Sequence, residues 1–442
     1  MSSKGKSSAD TAGGATLVPK LRFPEFQDAG AWENKLLAPF LRDSSGRAPS
    51  NTTLPVFSST REGLRRQDAY FDGRVLQNNN DYGVVPPGCF VYRHMSDDGT
   101  FKFNINNTGA EIAVSKEYPV FETVGLDSKF LLELLNEGED FKHFAFSQKA
   151  GGTRTRLYFS RLREWRTHLP TLPEQQKIAD CLDSVDALIA AQGRKVAALR
   201  AHKKGLMQQL FPRPERIENG VKIPAETIPR LRFPEYRTAG DWGRAQLGPK
   251  TDKVGSGITP NGGDRNYRSS GRPFVRSQNV GWGELLLDDV AFLDEETHSA
   301  FASTEIRLGD VLLNITGASI GRSAVADRRI VGGNVNQHVC IIRVKQKAID
   351  QFYLNQYLIS QYGQKQIDNF QAGGNRQGLN FAQIRTFSVP LPPTMPEQHR
   401  IAECLTSLDY LINAENQKLD SLKFHKKGLM QQLFPSFAKA DA

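Results

Sequence analysis

The 442-residue chain is poor in cysteine, and its four, Cys89, Cys181, Cys340 and Cys404, form no Cys-x-x-Cys pair. That argues against a disulfide framework and a cysteine-rich zinc site, and it fits buried thiols in a reducing compartment. No run of 18 apolar residues occurs, so no bilayer-spanning helix is expected, and the N-terminus lacks an apolar signal core. Motifs for chemistry are missing too. Gly5-Lys6-Ser7 ends like a phosphate loop but lacks the upstream glycine and a preceding strand. His-Glu-x-x-His, Gly-x-Ser-x-Gly, an Asn/Asp-Pro-Pro-aromatic base-methylation motif and a convincing Pro-Asp with Asp/Glu-x-Lys cleavage motif are all absent. A stand-alone nuclease or methyltransferase is therefore disfavoured, and no catalytic or metal-binding residue is expected.

What the chain does have is a repeat. Lys20-Leu-Arg-Phe-Pro-Glu-Phe26 returns as Arg230-Leu-Arg-Phe-Pro-Glu-Tyr236, an offset of 210, and the eleven residues His202 to Pro212 return unchanged as His425 to Pro435, an offset of 223. Such a period lies far beyond solenoid repeats and means a duplicated domain followed by a duplicated helix. Between the signatures the likeness is looser. Ala29-Gly-Ala-Trp32 matches Ala239-Gly-Asp-Trp242, and the segments 55–59 and 273–277, like 88–93 and 309–314, read as paired β-strands. Helices are expected over Ser128 to Asn136 and Ile349 to Phe370. Paired glycines at 151 and 373 mark loops, each followed by a returning strand ending at Phe159 or Phe381. The fold class is α+β: two strand-rich domains joined by two long helices, with internal pseudo-twofold symmetry. The expected boundaries are a disordered leader over 1–18, a first domain over 19–168, a long helix over 169–212, a linker over 213–228, a second domain over 229–390, a second long helix over 391–435 and a tail over 436–442.

Each long helix opens on Pro-Glu-Gln, at Pro173 and Pro396, which suits proline in a first turn with an acid near the positive helix end. Ile178, Leu182, Val185, Ile189, Gln192, Val196, Leu199, Lys203, Leu206 and Leu210 then recur at alternating steps of four and three. Ile401, Leu405, Leu408, Ile412, Glu415, Leu419, Leu422, Lys426, Leu429 and Leu433 repeat the pattern. This spacing is a coiled-coil seam, and the short connection after the first helix makes an antiparallel pair the expected arrangement. The stretch from Ile178 to Leu210 would span about 50 Å, more than one turn of B-DNA at roughly 34 Å. Cys181, Leu188 and Leu199, with Cys404 and Leu411, widen the apolar stripe, which leaves open whether it meets a further partner or docks each helix onto its own domain.

Lysine and arginine number 57 against 48 acidic residues, a net charge of +9 that favours a polyanionic partner. The Leu-Arg-Phe-Pro-Glu openings, the Pro-Glu-Gln helix starts and the Lys-Lys-Gly-Leu-Met-Gln-Gln-Leu-Phe-Pro helix ends closely resemble the specificity subunit of type I restriction and modification systems. Phe274-Val-Arg-Ser-Gln-Asn-Val280, Asn314-Ile-Thr-Gly-Ala-Ser-Ile-Gly-Arg322 and Asn334-Val-Asn-Gln-His-Val339 add to a match running from Leu17 to Phe434. The resemblance implies two target recognition domains, each reading half of a bipartite sequence in double-stranded DNA, with the helices as a ruler for the unread gap. It further implies a cytoplasmic, non-catalytic subunit on which two methyltransferase subunits and endonuclease/translocase subunits assemble. S-adenosylmethionine, ATP and Mg would then belong to those partners, with no cofactor in this chain. A coiled-coil interaction protein with two domains that bind no DNA is the competing reading.

Reading a duplex needs arginine for guanine, asparagine or glutamine for adenine, and basic residues for phosphates. The first domain offers Arg61, Arg65, Arg66, Tyr92, Arg93, His94, Lys102, Asn104, Asn106, Arg154 and Arg156. The second offers Arg265, Arg268, Arg276, Gln278, Asn279, Asn314, Arg322, Asn336, Gln337, Arg376 and Gln377. Asparagines that flank strands also bond neighbouring turns, so about half of these candidates are expected to touch DNA. The first domain lacks the Arg-Ser-Gln-Asn and Asn-Ile-Thr-Gly stretches and should read a different half-site.

Overall fold

The computed structural model describes residues 18–70, 81–149, 154–260, 262–371 and 378–435. Arg376 and Gln377, the leader before Val18, the tail after Pro435 and most of the two glycine-paired loops lie outside them. The long helices run Leu172–Leu210 and Met395–Leu433, 39 residues each. Both have proline in the first turn and stop just before Phe-Pro, because the residue preceding a proline is pushed out of helical geometry. Contacts divide the chain into two units. One holds the residues up to Ala191 and those from Leu419 onward, and the other holds Gln192–Lys418. Each unit is thus one globular domain with the start of the helix that follows it and the end of the other helix.

In the first unit a four-stranded antiparallel sheet takes the order Leu41–Asp43, Val120–Thr123, Phe90–Tyr92, Phe103–Ile105. A three-stranded sheet of Ile112–Ser115, Tyr82–Val85 and Gly46–Ala48 accompanies it, with a hairpin of Phe57–Thr60 and Gly63–Arg66. The core is largely aromatic: Phe90 stacks on Phe121 at 4.7 Å and Phe141 meets Trp165 edge-on at 5.0 Å. Ile178, Ala179 and Leu182 of one long helix and Met430, Leu433 and Phe434 at the end of the other complete it.

The second unit repeats this plan. Its four-stranded sheet has the order Thr251–Ser256, Val339–Val344, Val311–Asn314, Ser323–Val325. A three-stranded sheet places Arg272–Val275 between Ala291–Leu293 and the parallel strand Asn334–Val335. Met207, Leu210 and Phe211 from one helix and Ile401, Ala402 and Leu405 from the other enter its core. The early part of each heptad seam is therefore core for its own domain, in addition to any helix pairing. The repeated Met, Leu and Phe of the helix ends are core as well.

Helix pairing within each unit is antiparallel. In the second, Lys203 Nζ donates to Asp409 at 2.5 and 2.7 Å, Arg200 to Asn416 Oδ1 at 3.2 Å, and Gln192 Nε2 to Glu415 Oε2 at 2.6 Å. Gln192 and Glu415 are 223 residues apart, so this position faces its own counterpart. In the first unit Lys426 Nζ donates to Asp186 Oδ2 at 2.7 Å. Of the expected seam, Ile178, Leu182, Val185, Val196, Ile401, Leu405 and Ile412 are buried, and Ile189, Leu199, Leu206, Leu408, Leu419, Leu422 and Leu429 are half-buried.

Three expectations need correction. The helix expected over Ile349 to Phe370 is two, Gln351–Ile359 and Gln361–Gln371, broken where Ser360 turns extended. Gly363 sits where a side chain's Cβ would come within 2.3 Å of the Tyr357 carbonyl oxygen. The linker contains a hairpin of Arg216–Glu218 and Val221–Ile223, turned by Asn219 at φ 51° and Gly220 at φ 78°, the left-handed pair a two-residue turn requires. The returning strands shrink to Thr155–Arg156 and an isolated bridge at Gly378, after which the chain enters the short helices Phe159–Glu164 and Phe381–Arg385.

The two opening signatures owe their form to a buried ion pair. Arg22 grips Glu174 through Nε at 2.8 Å and Nη2 at 2.7 Å, and Trp32 Nε1 adds a bond at 3.3 Å. Arg232 grips Glu397 at 2.7 and 2.8 Å, with Trp242 at 3.2 Å. The remaining guanidinium protons go to the backbone, from Arg22 to the Ala29 and Gly30 oxygens and from Arg232 to that of Gly240. The adjacent glutamines, Gln175 and Gln398, accept at 3.0 Å from the backbone N–H of Asp127 and Asp350, which cap the helices Ser128–Glu137 and Gln351–Ile359. Breaking one such pair strands a buried charge. Glu174→Gln should cost the first unit about 3–5 kcal/mol in denaturant unfolding, and Glu397→Gln should act likewise on the second.

A further repeated cluster differs by one charge. Lys203, Asp409 and Gln356 correspond at an offset of 223 to Lys426, Asp186 and Glu133. Burial pushes the Lys203 ammonium below its usual range, against the pull of Asp409. Burial also pushes the Glu133 carboxyl up, although Lys426 opposes it. Folding thus favours protonated Glu133, so its contribution is greatest at low pH and falls as pH rises through the carboxylate range. Glu133→Gln, which installs the neutral arrangement of the second unit, should raise Tm by about 2–4 °C at pH 7.5, and that gain should shrink toward pH 4 in melts followed by circular dichroism.

Candidate nucleic-acid interface

In the first domain three segments converge. Arg61 of the Phe57–Thr60/Gly63–Arg66 turn donates to Asp98 at 2.6 Å, Arg154 to Asp97 at 2.9 Å, and strand Thr155–Arg156 pairs with Met95–Ser96. Leu157 N–H donates to the His94 oxygen at 2.9 Å, and Tyr158 stacks on the His94 ring at 5.7 Å. Arg61, Arg93, Arg154 and Arg156 are thereby gathered around one exposed face, with Arg65 and Arg66 on the adjoining hairpin. Among the described residues Arg65 and Arg93 have no ion pair, whereas Arg66 is held by Asp68 at 2.7 Å. Bonds from Thr100, Ser96 and Arg61 hold the Asp98 carboxyl well below the usual range.

Other first-domain candidates turn inward. Tyr92 is buried and donates its hydroxyl to the Leu157 oxygen at 3.0 Å. Asn104 ties the hairpin down through Ser59 Oγ at 2.8 Å, and Asn106 donates to the Val85 and Ala110 oxygens, each at 2.8 Å. These three hold loops together and present nothing to a base edge. Lys102 is half-buried, 3.5 Å from Glu137. His94 is buried, which lowers its pKa, and its Nδ1 has no hydrogen-bond partner among the described residues.

In the second domain the ends of several strands meet. Asn314, buried, donates to the Ser277 oxygen at 2.7 Å, and Asn336 N–H to that of Val275 at 3.0 Å. Thr316 Oγ1 lies 2.6 Å from His338 Nδ1, and Gln337 Oε1 accepts from Thr259 N–H at 3.2 Å. Asn279 is fully buried, with Oδ1 accepting from Arg276 N–H at 3.0 Å. Asn336 Oδ1 accepts from His338 N–H at 3.0 Å, and Asn279, Asn314 and Asn336 are thus corrected from readers to braces, each buried with a side-chain bond to nearby backbone. Gln278 and Gln337 are exposed at this edge and Arg276 is half-buried. Arg265 and Arg268 are exposed nearby in sequence, the latter paired with Asp294 at 3.1 Å. Arg322 instead lines a groove of about 750 Å³ with Arg200, Lys204 and Trp282. The sequence reading missed Tyr158, Thr316 and the carboxylates Asp97, Asp98 and Asp289; for Tyr158, an aromatic two residues from Arg156 was the available signal.

The two faces occupy matching places. The Leu157-to-His94 bond has its counterpart in Leu379 N–H donating to the Ile315 oxygen at 2.8 Å, and the Arg156·Met95 pairing in the Gly378·Thr316 bridge. One framework thus carries arginines in one domain and mainly amides and hydroxyls in the other.

The model of the type I restriction modification DNA specificity domain matches residues 89–200 and again 299–423. The chain belongs to this family. Two curated relatives from Methanocaldococcus jannaschii bear it out. The type I restriction enzyme MjaVIII specificity subunit is 25% identical over 279 residues, which cover 60% of each chain. The putative type I restriction enzyme MjaX specificity subunit is 24% identical over 314 residues, 70% of this chain and 67% of the relative. The alignment with the first therefore spans about three fifths of that relative's length. In fold, the chain resembles the S subunit of a type I restriction-modification system from M. genitalium, with a TM-score of 0.59 over 96% of this chain and all of that one, at 14% identity. A chain from a type I R-M system solved for its complex assembly and conformational transition aligns with a TM-score of 0.50 over 92% of this chain and 98% of that one, also at 14% identity. Family membership places the protein with the specificity components of such systems, which are not the catalytic ones.

If these edges meet a duplex, exposed and buried candidates should behave differently. Arg93→Ala and Arg156→Ala should each lower the salt slope of duplex binding by about 1 without changing the melt. Asn106→Ala should lower Tm and leave that slope unchanged.

Proposed function

We propose that this specificity-family chain reads a bipartite duplex target, one half with each domain, and holds partner methyltransferase and endonuclease/translocase subunits against it in the cytoplasm. The observation that carries this reading is one framework built twice with unlike polar residues at the matching exposed edge. A single shared frame positions two readers equivalently, while Arg61, Arg93, Arg154 and Arg156 on one and Gln278, Thr316 and Gln337 on the other suit different sequences.

Leu188 and Leu411 support the partner half of the proposal. They are equivalents at the offset of 223, and both stay exposed, at 57% and 41%, on helices whose seam residues are covered. Two like copies of a partner, each meeting an apolar spot at the same place in the repeat, fit that pattern. S-adenosylmethionine, ATP and Mg would be bound by those partners. Among the described residues no helix is long and apolar enough to cross a membrane, and no group of three or more His, Cys, Asp or Glu could hold a metal.

Exchanging residues 21–168 for the corresponding segment of another recognition domain should change one half-target and leave the other intact. Methylated positions mapped genome-wide, in cells expressing the chain with its methyltransferase, report this directly. A change in both halves, or in neither, would rule out modular reading.

A further inference from the structure

Asp289 is an exposed carboxylate at the edge where the second domain gathers its amides, and three of the residues there converge on it. Gln278 Nε2 donates to its Oδ2 at 2.5 Å and Asn279 Nδ2 to its Oδ1 at 3.2 Å. Arg276 Nη2 donates both to its backbone oxygen at 2.6 Å and to Oδ1 at 3.3 Å. Arg276 is further fixed by lying over the Tyr267 ring, 5.3 Å from its centroid, although its buried Nε has no hydrogen-bond partner among the described residues. Its guanidinium is therefore turned back onto its own loop, where it braces the turn that carries Ser277 and Gln278.

That leaves Gln278 as the side chain of this trio that faces outward. An amide has two N–H donors and one carbonyl acceptor. One donor is taken by Asp289, which also settles which end of the amide is nitrogen. What remains free is one acceptor and one donor side by side. Adenine presents the complement in the major groove, a donor at N6 and an acceptor at N7, whereas guanine presents two acceptors there. A carboxylate so close to a duplex also repels phosphates, so its presence favours a base contact over a backbone contact at this point.

The first domain repeats the device with different residues. Asp98 and Asp97 hold Arg61 and Arg154 at 2.6 and 2.9 Å on the corresponding face.

We propose that Gln278 reads an adenine in the half-target of the second domain and that Asp289 is the positioning residue that presents its amide. The inference rests on the DNA-reading function proposed above. It assigns Arg276 to support and not to readout.

The test compares the full chain with Gln278→Ala, Asp289→Asn and Asp289→Ala variants, each expressed with the partner methyltransferase, by mapping methylated positions and the base tolerated at each place in both half-targets. Asp289→Asn keeps the shape but turns an amide donor toward either Gln278 or Arg276. Both sites are exposed, so melts should match the unmodified chain. Gln278→Ala is expected to relax one adenine position in one half-target, with discrimination falling about tenfold or more. Asp289→Asn is expected to relax that same position, with the other half-target unchanged. Relaxation at a base other than adenine, or at different positions in variants of the two residues, overturns the proposal. So does an unaltered profile in Gln278→Ala, or one in both Asp289→Asn and Asp289→Ala, the latter offering Gln278 no acceptor. An unmodified chain that directs no bipartite methylation would sink the DNA-reading function itself, and this assignment with it.

Discussion

The junction between each domain and its long helix turns on one carboxylate. Glu174 and Glu397 stand in the first turn of the helices, where the helix dipole favours a negative charge, and each is closed in by an arginine and a tryptophan from the start of the domain it follows. The first residues of a domain are thereby fastened to the helix leaving its last strand. A buried pair of this kind need not stabilise more than apolar residues would. It does prescribe one orientation, since a two-bond arginine–carboxylate grip admits little rotation. The neighbouring glutamines extend that registration to the capped helices inside the domains.

From this junction follows a division of labour between repeated and varied residues. The Met, Leu and Phe of each duplicated helix end are buried in a domain core, and the lysine before them is held by an aspartate of the opposite helix. They enter the two domain cores at matching places. Residues on the edge facing solvent differ, with no packing constraint to hold them alike, while matched buried positions such as Phe90 and Val311 differ within a shared frame.

Much of the frame was legible in the chain, because heptad spacing, proline at the helix starts and an offset of 210 to 223 are local patterns repeated twice. The break at Ser360 was not, since an isolated serine or glycine is tolerated inside a helical pattern and the turn depends on a close backbone approach at Gly363. The hairpin at Asn219-Gly220 could have been read from that dipeptide. The interface was harder. Asn104, Asn106, Asn279, Asn314 and Asn336 look like readers in one dimension, but whether an asparagine meets a base or the nearest carbonyl depends on burial, which spacing does not encode. Asp97, Asp98 and Asp289 carry no such signal in the sequence, because a carboxylate by itself repels phosphates, although in three dimensions they orient the cations and amides beside them.

Gln192 and Glu415 meet where the repeat confronts itself. If two identical half-chains paired in this way, the residue there would face its own copy, and a glutamate would meet a glutamate. Covalent fusion releases the position from that rule, so that one member could become an amide that donates to the other, with Lys195 supplying a second bond at 2.6 Å. A single chain can therefore be uneven at its own midpoint. Mutational drift there is free to favour the fused pairing over any dimer of like halves.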